Sequence, residues 1–260
     1  MRAWSSKVAI VTGAGQGVGR GIALALARRG VRIGVLGRTR EKLDAVVAEI
    51  GDRYQDKAGG EPSAIALTCD VKNEPDIRAS VDEVIARLGG IDILVNNAQE
   101  VPLGPLLTMK DDSFEAGFVS GPLATLRFMK ASYANMKQRG GGVIVNLASS
   151  AAMRWDMAGY GAYGAVKEAI RVLTRAAASE WGPDGIRVLS VAPHANSPGL
   201  EGWIERNPAE AEVFFRTIPL RHIGDCEMDI GEAVAALCGP EFGYLTGATI
   251  PLDGGQARFV

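Results

Sequence analysis

The stretch AGYGAYGAVKEAIRVLTRAAASEW contains two tyrosines and a lysine at spacings that bear on proton transfer. Lys167 follows Tyr163 by four residues, so in a helix the two side chains lie on one face. An ammonium beside a phenol favours the phenolate, and we expect the pKa of Tyr163 to fall below its usual value of about 10. Such a tyrosine can exchange protons with an alcohol or carbonyl oxygen. Tyr160 has Gly164 at the same spacing, so the pairing singles out Tyr163.

A glycine-rich turn, TGAGQGVG, ends the first apolar run and opens an amphipathic helix. In a dinucleotide-binding turn, Gly13 permits the tight turn and Gly17 lets the backbone approach a phosphate. Gly19 allows the helix to pack close to the sheet, and the helix N-terminus faces the pyrophosphate. The sequence therefore predicts cofactor binding by this turn, with Gln16 and Val18 among the binding residues.

The stretch VLGRTREKL, at the end of the second apolar run, indicates which dinucleotide binds. NAD-type sites place an acidic residue about 20 residues after the glycine turn, where it bonds the ribose 2′-hydroxyl. Counting from Gly17 reaches Gly37, and Arg38 and Arg40 follow. Because the acid is replaced and arginine suits a 2′-phosphate, the sequence favours NADP(H) over NAD(H), with Arg38 in the site. Two solvated arginines at a helix start are the alternative.

Apolar runs alternate with amphipathic helices along the whole chain and must position these residues. Seven runs have the composition of buried strands: KVAIVTG, RIGVLG, SAIALTCD, IDILVNNA, GGVIVNLASS, GIRVLSVAP and GATIPLDGG. Strands that are apolar throughout and separated by helices indicate a parallel sheet covered on both faces. The predicted fold class is α/β, a doubly wound parallel sheet of about seven strands. Ligands of such sheets bind at the carboxyl ends of the strands, where the strand order reverses.

Composition excludes several function classes. The 260 residues carry a net charge of −2, which gives no electrostatic reason to expect a nucleic acid or a membrane as partner. No apolar run approaches the roughly 18 residues that span a bilayer, and we find no export signal. Three cysteines without metal-ligand spacing and two histidines predict no metal site. We therefore expect a cytoplasmic protein with free thiols at Cys69, Cys226 and Cys238.

Several motifs, in this order, resemble the short-chain dehydrogenase/reductase family over essentially the whole length. They are TGAGQGVG, Asp70-Val71 in CDV, NNA, the serine of NLASS, YGAVK and DGG. The resemblance implies a single Rossmann-type domain over residues 1–260 that assembles as a homotetramer or homodimer. It also implies that Asp70 and Val71 contact the adenine, and that Asn97, with Ala98 beside it, lies along the cofactor.

The same resemblance implies the catalytic set Ser150, Tyr163 and Lys167. The family serine usually precedes the tyrosine by thirteen residues, which selects Ser150 rather than Ser149. Tyr163 would be the acid/base on the reacting oxygen, and Ser150 would orient that oxygen. Lys167 would bind the nicotinamide ribose and lower the tyrosine pKa, while hydride passes between nicotinamide and substrate. Tyr160 then becomes a helix-start or pocket-wall residue.

Two departures from the family pattern lie after the fourth strand, one beside the cofactor and one in the following helix. Gln99 in NNAQ takes the place of a glycine, which puts a long amide beside the cofactor. Gly121 stands where the family has an asparagine that holds a water in a proton relay to the lysine, with Ser120 as a possible substitute. Because the catalytic set is retained, we expect an active enzyme with a reshaped site. The alternative is a catalytically inactive NADP(H)-binding regulatory or scaffolding protein of the same fold.

A third departure lies in the turn APHANSPGL after the sixth strand, where His194 replaces a glycine. In the family this turn presents backbone groups to the nicotinamide amide, here from Pro193 and Asn196. His194 is a candidate second titrating group near the substrate, and a histidine hydrogen-bonded within a turn is the alternative.

The substrate pocket is expected between AAMRWDMAGYGA and a lid over about residues 197–224. Candidate wall residues are Met153, Arg154, Trp155, Asp156, Met157, Trp203, Phe214 and Phe215. Their largely apolar character favours a cyclic or otherwise apolar ketone or alcohol. The predicted function is an NADP(H)-dependent oxidoreductase acting on a carbonyl/secondary alcohol pair, and an isomerase or lyase with bound cofactor is a further alternative.

Overall fold

One parallel sheet organises the computed structural model, which describes residues 4–54, 62–153 and 158–257. Its strands within these ranges are β1 Val8–Thr12, β2 Arg32–Gly37, β3 Ala64–Thr68, β4 Ile93–Asn96, β5 Gly142–Leu147, β6 Ile186–Pro193 and β7 Thr249–Leu252. The strand order is β3-β2-β1-β4-β5-β6-β7, and every neighbouring pair is parallel. The predicted doubly wound Rossmann-type sheet is confirmed.

Helices cover both faces of this sheet. Those in the described ranges are α1 Gly17–Arg28, α2 Arg40–Tyr54, α3 Glu74–Leu88, α4 Asp111–Phe118, α5 Ala124–Gln138, α6 Gly161–Trp181, α7 Pro198–Arg206, α8 Pro208–Arg216 and α9 Glu232–Leu237. Successive strand residues point to opposite faces. Ala9 and Val11 therefore pack with α1, while Val8 and Ile10 pack in a second cluster with residues of α3 and α5. Burial on both faces explains why the strands are apolar throughout.

The strand order reverses beside β1. From β1 the chain builds outward through β2 and β3, then crosses back to place β4 on the other side of β1. The ends of β1 and β4 therefore lie at the switch point, where a crevice opens beyond the sheet.

The helical region after β4 changes its winding where it passes this crevice. Helices α4 and α5 are joined by a π-helical turn, Val119–Leu123, whose Ser120 and Gly121 are buried. Pro122 lies inside the turn and has no backbone N–H to donate. Such single π-turns occur frequently at functional sites. The sequence predicts the long helix but not this turn.

Helices α7 and α8 lie within the segment that we predicted as a lid. The segment is joined to the sheet end by a parallel bridge between Ala195 and Gly224. Trp203 of α7 packs edge-on against Phe214 of α8, with ring centroids 5.8 Å apart. The aromatic pair therefore holds the two helices together.

Three further findings concern the part of the chain that the structure describes. No helix in it is long and apolar enough to cross a bilayer. No group of three or more His, Cys, Asp or Glu residues in it is placed to hold a metal ion. The thiols of Cys69 and Cys238 are buried, that of Cys226 is half-buried, and all three are free.

Candidate active site

A cavity of about 730 Å³ lies beyond the carboxyl end of the sheet. Each of the first six strands ends at it, through Gly13, Gly37, Cys69, Asn97, Leu147 and Pro193. The candidate site is therefore built where the fold predicts a ligand crevice.

The glycine turn after β1 forms one wall of the cavity. Gly13 has a φ of +65° and Gly17 a φ of +54°, a backbone region that favours glycine. A Cβ at Gly13 would lie 2.8 Å from Nδ2 of Asn97, so the turn admits no side chain there. Asn97 donates from Nδ2 to the carbonyl oxygen of Thr12 at 2.9 Å, which ties the end of β4 to this turn. The open backbone and the N-terminus of α1 fit a dinucleotide pyrophosphate.

Most of the predicted cofactor-binding residues line this cavity, and two do not. Those at the cavity are Gly13, Gln16, Gly17, Val18, Arg38, Asp70, Val71, Asn97, Ala98, Tyr163, Lys167 and Pro193. Gly19 instead packs α1 against the turn, because its Cβ would overlap the carbonyl oxygen of Gly13. Asn196 is exposed and donates from Nδ2 to Glu201 Oε1 at 3.0 Å, so Ala195 lines the cavity in its place.

The tyrosine and lysine of α6 meet at the floor of the cavity. The Nζ atom of Lys167 lies 5.6 Å from the centroid of the Tyr163 ring and donates to the carbonyl oxygen of Leu147 at 2.5 Å. Burial lowers the pKa of Lys167 to about 7. Burial also raises the pKa of Tyr163, while the Ser149 hydroxyl acts in the opposite direction and Tyr160 adds to the rise. The predicted depression of the tyrosine pKa is therefore wrong for the cofactor-free chain, because Lys167 faces the ring and desolvation dominates.

The serine that hydrogen-bonds the Tyr163 phenol is Ser149. Ser150, which the resemblance predicts as the catalytic serine, lines the same cavity and opens the 3-10 turn Ser150–Met153. Ser149 and Ser150 follow the end of β5, two and three residues after Leu147.

Comparison with known proteins agrees with this geometry. The family described as Enoyl-(Acyl carrier protein) reductase matches residues 13–257. The chain belongs to the short-chain dehydrogenase/reductase family. It is 38% identical to a 12α-hydroxysteroid dehydrogenase of Clostridium sp. over 261 residues, 99% of each chain. The relatives that the chain matches are named as dehydrogenases and reductases.

Two solved structures of the family superpose on nearly the whole chain. An actinorhodin polyketide ketoreductase with NADPH has a TM-score of 0.90 and 28% identity, and covers 100% of both chains. A 7α-hydroxysteroid dehydrogenase complexed with NADH and 7-oxo glycochenodeoxycholic acid has a TM-score of 0.88 and 29% identity, with 100% of this chain and 99% of that one covered. The two complexes show that both nicotinamide dinucleotides occur among relatives of this fold.

Charged residues surround the end of the cavity beyond β2 in this family member. Arg38 and Lys72 both contact Oε1 of Glu100, at 3.4 Å and 2.8 Å. Lys42 donates to Oε1 of Gln16 at 2.5 Å. Arg40 pairs instead with Asp44 on its own helix, at 2.9 Å.

Three of these groups were missed by the sequence analysis. Lys42, Lys72 and Glu100 all line the cavity. A signal was present, since Lys72 directly follows the Asp70-Val71 pair and Lys42 lies at the start of α2, four residues after Arg38.

Aromatic residues form the wall of the cavity on the side of α7 and α8. The His194 ring lies 5.2 Å from the Phe214 ring in an edge-on contact, and both line the cavity. His194 also donates its backbone N–H to Leu252 at 2.9 Å, which fixes the turn to the end of β7. Phe214 reaches the cavity, whereas Trp203 and Phe215 pack against Phe214. The predicted wall residues Arg154, Trp155, Asp156 and Met157 lie outside the described residues.

Proposed function

We propose that this protein is an NADP(H)-dependent oxidoreductase that acts on a carbonyl/secondary alcohol pair with Tyr163 as acid/base. The observation that carries the proposal is the placement of half-buried Tyr163 beside Ser149 and buried Lys167, whose Nζ lies 5.6 Å from the centre of the tyrosine ring. These three residues and the glycine turn line one cavity. When bound, the nicotinamide group supplies or accepts the hydride.

Each of the three residues has a separate task in this proposal. In carbonyl reduction, the Tyr163 phenol donates its proton to the substrate oxygen, which becomes the alcohol hydroxyl. The pKa of Tyr163 is raised by burial, so the proton donor is the populated form at neutral pH. Ser149 hydrogen-bonds and orients the same oxygen, and Lys167 holds the ribose of the cofactor. The reverse reaction uses the same contacts, with the proton returning to Tyr163.

The preference for NADP(H) rests on the charges at the end of β2. Gly37 and Arg38 stand where an NAD-type site has an acidic residue. Arg38, Lys42 and Lys72 line this part of the cavity and provide three cations for a 2′-phosphate. Glu100 opposes them, because its carboxylate contacts two of the three.

A cyclic, largely apolar ketone or secondary alcohol is the proposed substrate class. Phe214 and the His194 ring offer aromatic surface in the same cavity as Tyr163. A 12α-hydroxysteroid dehydrogenase is 38% identical to this chain, so hydroxysteroids and ketosteroids are the first members of that class to test. Within this proposal, residues 1–260 act as one domain, residues 197–224 as its lid, and the protein is a cytoplasmic homotetramer or homodimer.

The test follows NADPH oxidation across a panel of aldehydes, ketones, quinones and ketosteroids, with NADH in parallel. Turnover is expected to prefer NADPH and to fall by about 100-fold or more in Tyr163→Phe. Tyr160→Phe is the matched control, because it removes a half-exposed phenol at the rim of the same cavity. Tight NADPH binding without turnover of any compound would support the non-catalytic binding protein instead, and turnover retained in Tyr163→Phe would exclude this tyrosine as the acid/base.

A further inference from the structure

The DGG motif near the end of the chain folds a short loop after β7. The buried carboxylate of Asp253 accepts hydrogen bonds from the backbone N–H groups of Gly255 at 3.0 Å and Ala257 at 2.8 Å. Gly254 and Gly255 have φ values of +65° and +87°, a backbone region that favours glycine. The motif therefore fixes the backbone on both sides of Gln256.

This loop holds Gln256 between the sheet and the predicted lid. On the lid side, the backbone N–H of Leu220 donates to the carbonyl oxygen of Gly254 at 3.2 Å. On the sheet side, the backbone N–H of His194 donates to the carbonyl oxygen of Leu252, the last residue of β7, at 2.9 Å. Gln256 itself is half-buried and lines the candidate active-site cavity. The fold thus presents this amide to the cavity from an anchored backbone.

The orientation of the Gln256 carboxamide follows from its partner, Thr217. The Thr217 hydroxyl donates its single proton to the carbonyl oxygen of Phe214 at 2.7 Å. It can therefore only accept from Gln256, whose Nε2 lies 2.9 Å from it. Nε2 is turned toward the lid, which leaves Oε1 and one N–H of the amide without a partner among the described residues.

The charges around the cavity indicate that the group bound by Gln256 is uncharged. Among the described residues that line the cavity, the lysines and arginines are Arg38, Lys42, Lys72 and Lys167. None of these four belongs to the lid or to the DGG loop, so the described wall beside Gln256 supplies no such cation for a substrate carboxylate. A hydroxyl group both donates and accepts a hydrogen bond, and it therefore matches the Oε1 and N–H of the amide.

We propose that Gln256 is a specificity-determining residue whose carboxamide binds a second hydroxyl group of the substrate. The reacting oxygen is held by Ser149 and Tyr163 in the proposed function, so the group at Gln256 is a different one. Thr217 is the positioning residue that orients the amide. The inference rests on the proposed function and narrows its substrate class to cyclic ketones and alcohols that carry a further hydroxyl.

The first test uses pairs of ketosteroids that differ only in one ring hydroxyl, at a different ring position in each pair. For at least one pair, the wild type should prefer the hydroxylated ketone by about 10-fold in kcat/KM, the value of one uncharged hydrogen bond. Discrimination of about 10⁴-fold is not expected, because solvent reaches the half-buried amide when the hydroxyl is missing. Gln256→Leu should abolish the preference by lowering kcat/KM for the hydroxylated ketone alone, with an unchanged NADPH Kd.

Gln138→Leu is the matched control for Gln256→Leu. Gln138 is an exposed glutamine at the C-terminal end of α5, so the same chemical change is made away from the cavity. This variant should keep the wild-type preference. An equal loss of preference in both variants would contradict a specific role of Gln256.

The second test concerns the orientation of the amide. Thr217→Val keeps the volume but removes the hydroxyl that accepts from Gln256, and it should lower the preference by about 3-fold. Thr217→Ser keeps the hydroxyl and should retain the preference. In the Gln256→Leu background Thr217→Val should have no further effect on the preference, because the two residues act through one contact. A purely structural role would lower kcat/KM equally for both members of a pair.

The outcomes separate this inference from the proposed function. A wild type that turns over the ketones without a preference in any pair, or with a preference that Gln256→Leu leaves unchanged, overturns the inference alone. A wild type without turnover on any ketone overturns both. A preference that is lost in Gln256→Leu and kept in Gln138→Leu supports the second hydroxyl site.

Discussion

At the scale of single residues, two adjacent serines at the end of β5 have different environments. Ser149 hydrogen-bonds the Tyr163 phenol, while Ser150 begins a 3-10 turn. We therefore expect Ser149→Ala to lower kcat by about 100-fold, the cost of losing one donor to the reacting oxygen. Ser150→Ala should change kcat by less than about 3-fold. Steady-state kinetics of both variants decide the question, and the reverse ranking would return the orienting role to Ser150.

A second residue, Glu100, is expected to set the strength of the NADP(H) preference. Its carboxylate contacts Arg38 and Lys72, so it competes with a 2′-phosphate for both cations. Since all three side chains are partly exposed, their pairing is worth up to about 1 kcal/mol. Glu100→Gln should therefore tighten NADPH binding by about 3- to 5-fold and leave NADH binding unchanged.

Titration of cofactor fluorescence measures both constants for Glu100→Gln. Glu83→Gln, an exposed carboxylate on α3, is the control and should bind both cofactors as the wild type does. An equal gain for NADH and NADPH would show that Glu100 does not face the 2′ position.

Most residues that the sequence predicts for the site line the cavity, but their side-chain contacts were not predicted. Motif positions such as Gly13, Asn97 and Tyr163 are recognisable because the fold places each at a strand end or helix start. The contacts of Glu100 and of Gln256 join loops that are distant in the sequence. Such contacts depend on side-chain packing, which no local pattern encodes.

At the scale of elements, the packing of α1 on the segment before α9 depends on two glycines. A Cβ at Gly21 would overlap the carbonyl group of Cys226 in the π-helical segment Cys226–Gly231. A Cβ at Gly231 would lie 2.5 Å from the carbonyl oxygen of Gly21. Gly21→Ala should therefore destabilise the protein by about 2 to 3 kcal/mol through overpacking. Denaturant unfolding measures the change.

Gly182→Ala provides the control for Gly21→Ala. Gly182 has right-handed helical angles at the end of α6, and a Cβ there would meet no atom within 4 Å. This substitution should be neutral or stabilise by up to about 1 kcal/mol, because alanine restricts the unfolded chain. Equal effects of the two substitutions would show that α1 can move away from its neighbour.

The element boundaries also show where sequence patterns are informative. RIGVLG was predicted as a strand with the bounds that β2 has, since a buried parallel strand is uniformly apolar. The contact between Gly21 and Gly231 was not predicted, although both glycines are visible in the sequence. A glycine inside a helix has the same appearance whether it faces solvent or another backbone, and only the tertiary arrangement distinguishes the two.

At the scale of the whole molecule, the buried Lys167 couples the stability of the fold to pH. Its pKa of about 7 in the folded cofactor-free protein lies below the usual value of about 10.4. Between these values the unfolded chain binds more protons at this site than the folded chain, so stability rises with pH. Below about pH 7 Lys167 is protonated in both the folded and the unfolded chain. Its contribution to the free energy of unfolding then no longer changes with pH and has its least favourable value. The group proposed to hold the cofactor ribose therefore costs folding free energy at neutral pH.

Lys167→Met removes this coupling, because methionine fills a similar volume without a charge. Relative to this variant, the wild type should gain up to about 1.4 kcal/mol per pH unit between about pH 7 and pH 10. Urea unfolding of both proteins at several pH values, at one fixed protein concentration, measures the difference. Lys130→Met, an exposed lysine on α5, should show no such slope. If the difference in unfolding free energy between the wild type and Lys167→Met did not change with pH, Lys167 would stay charged on folding. The lysine would then cost the fold little at neutral pH.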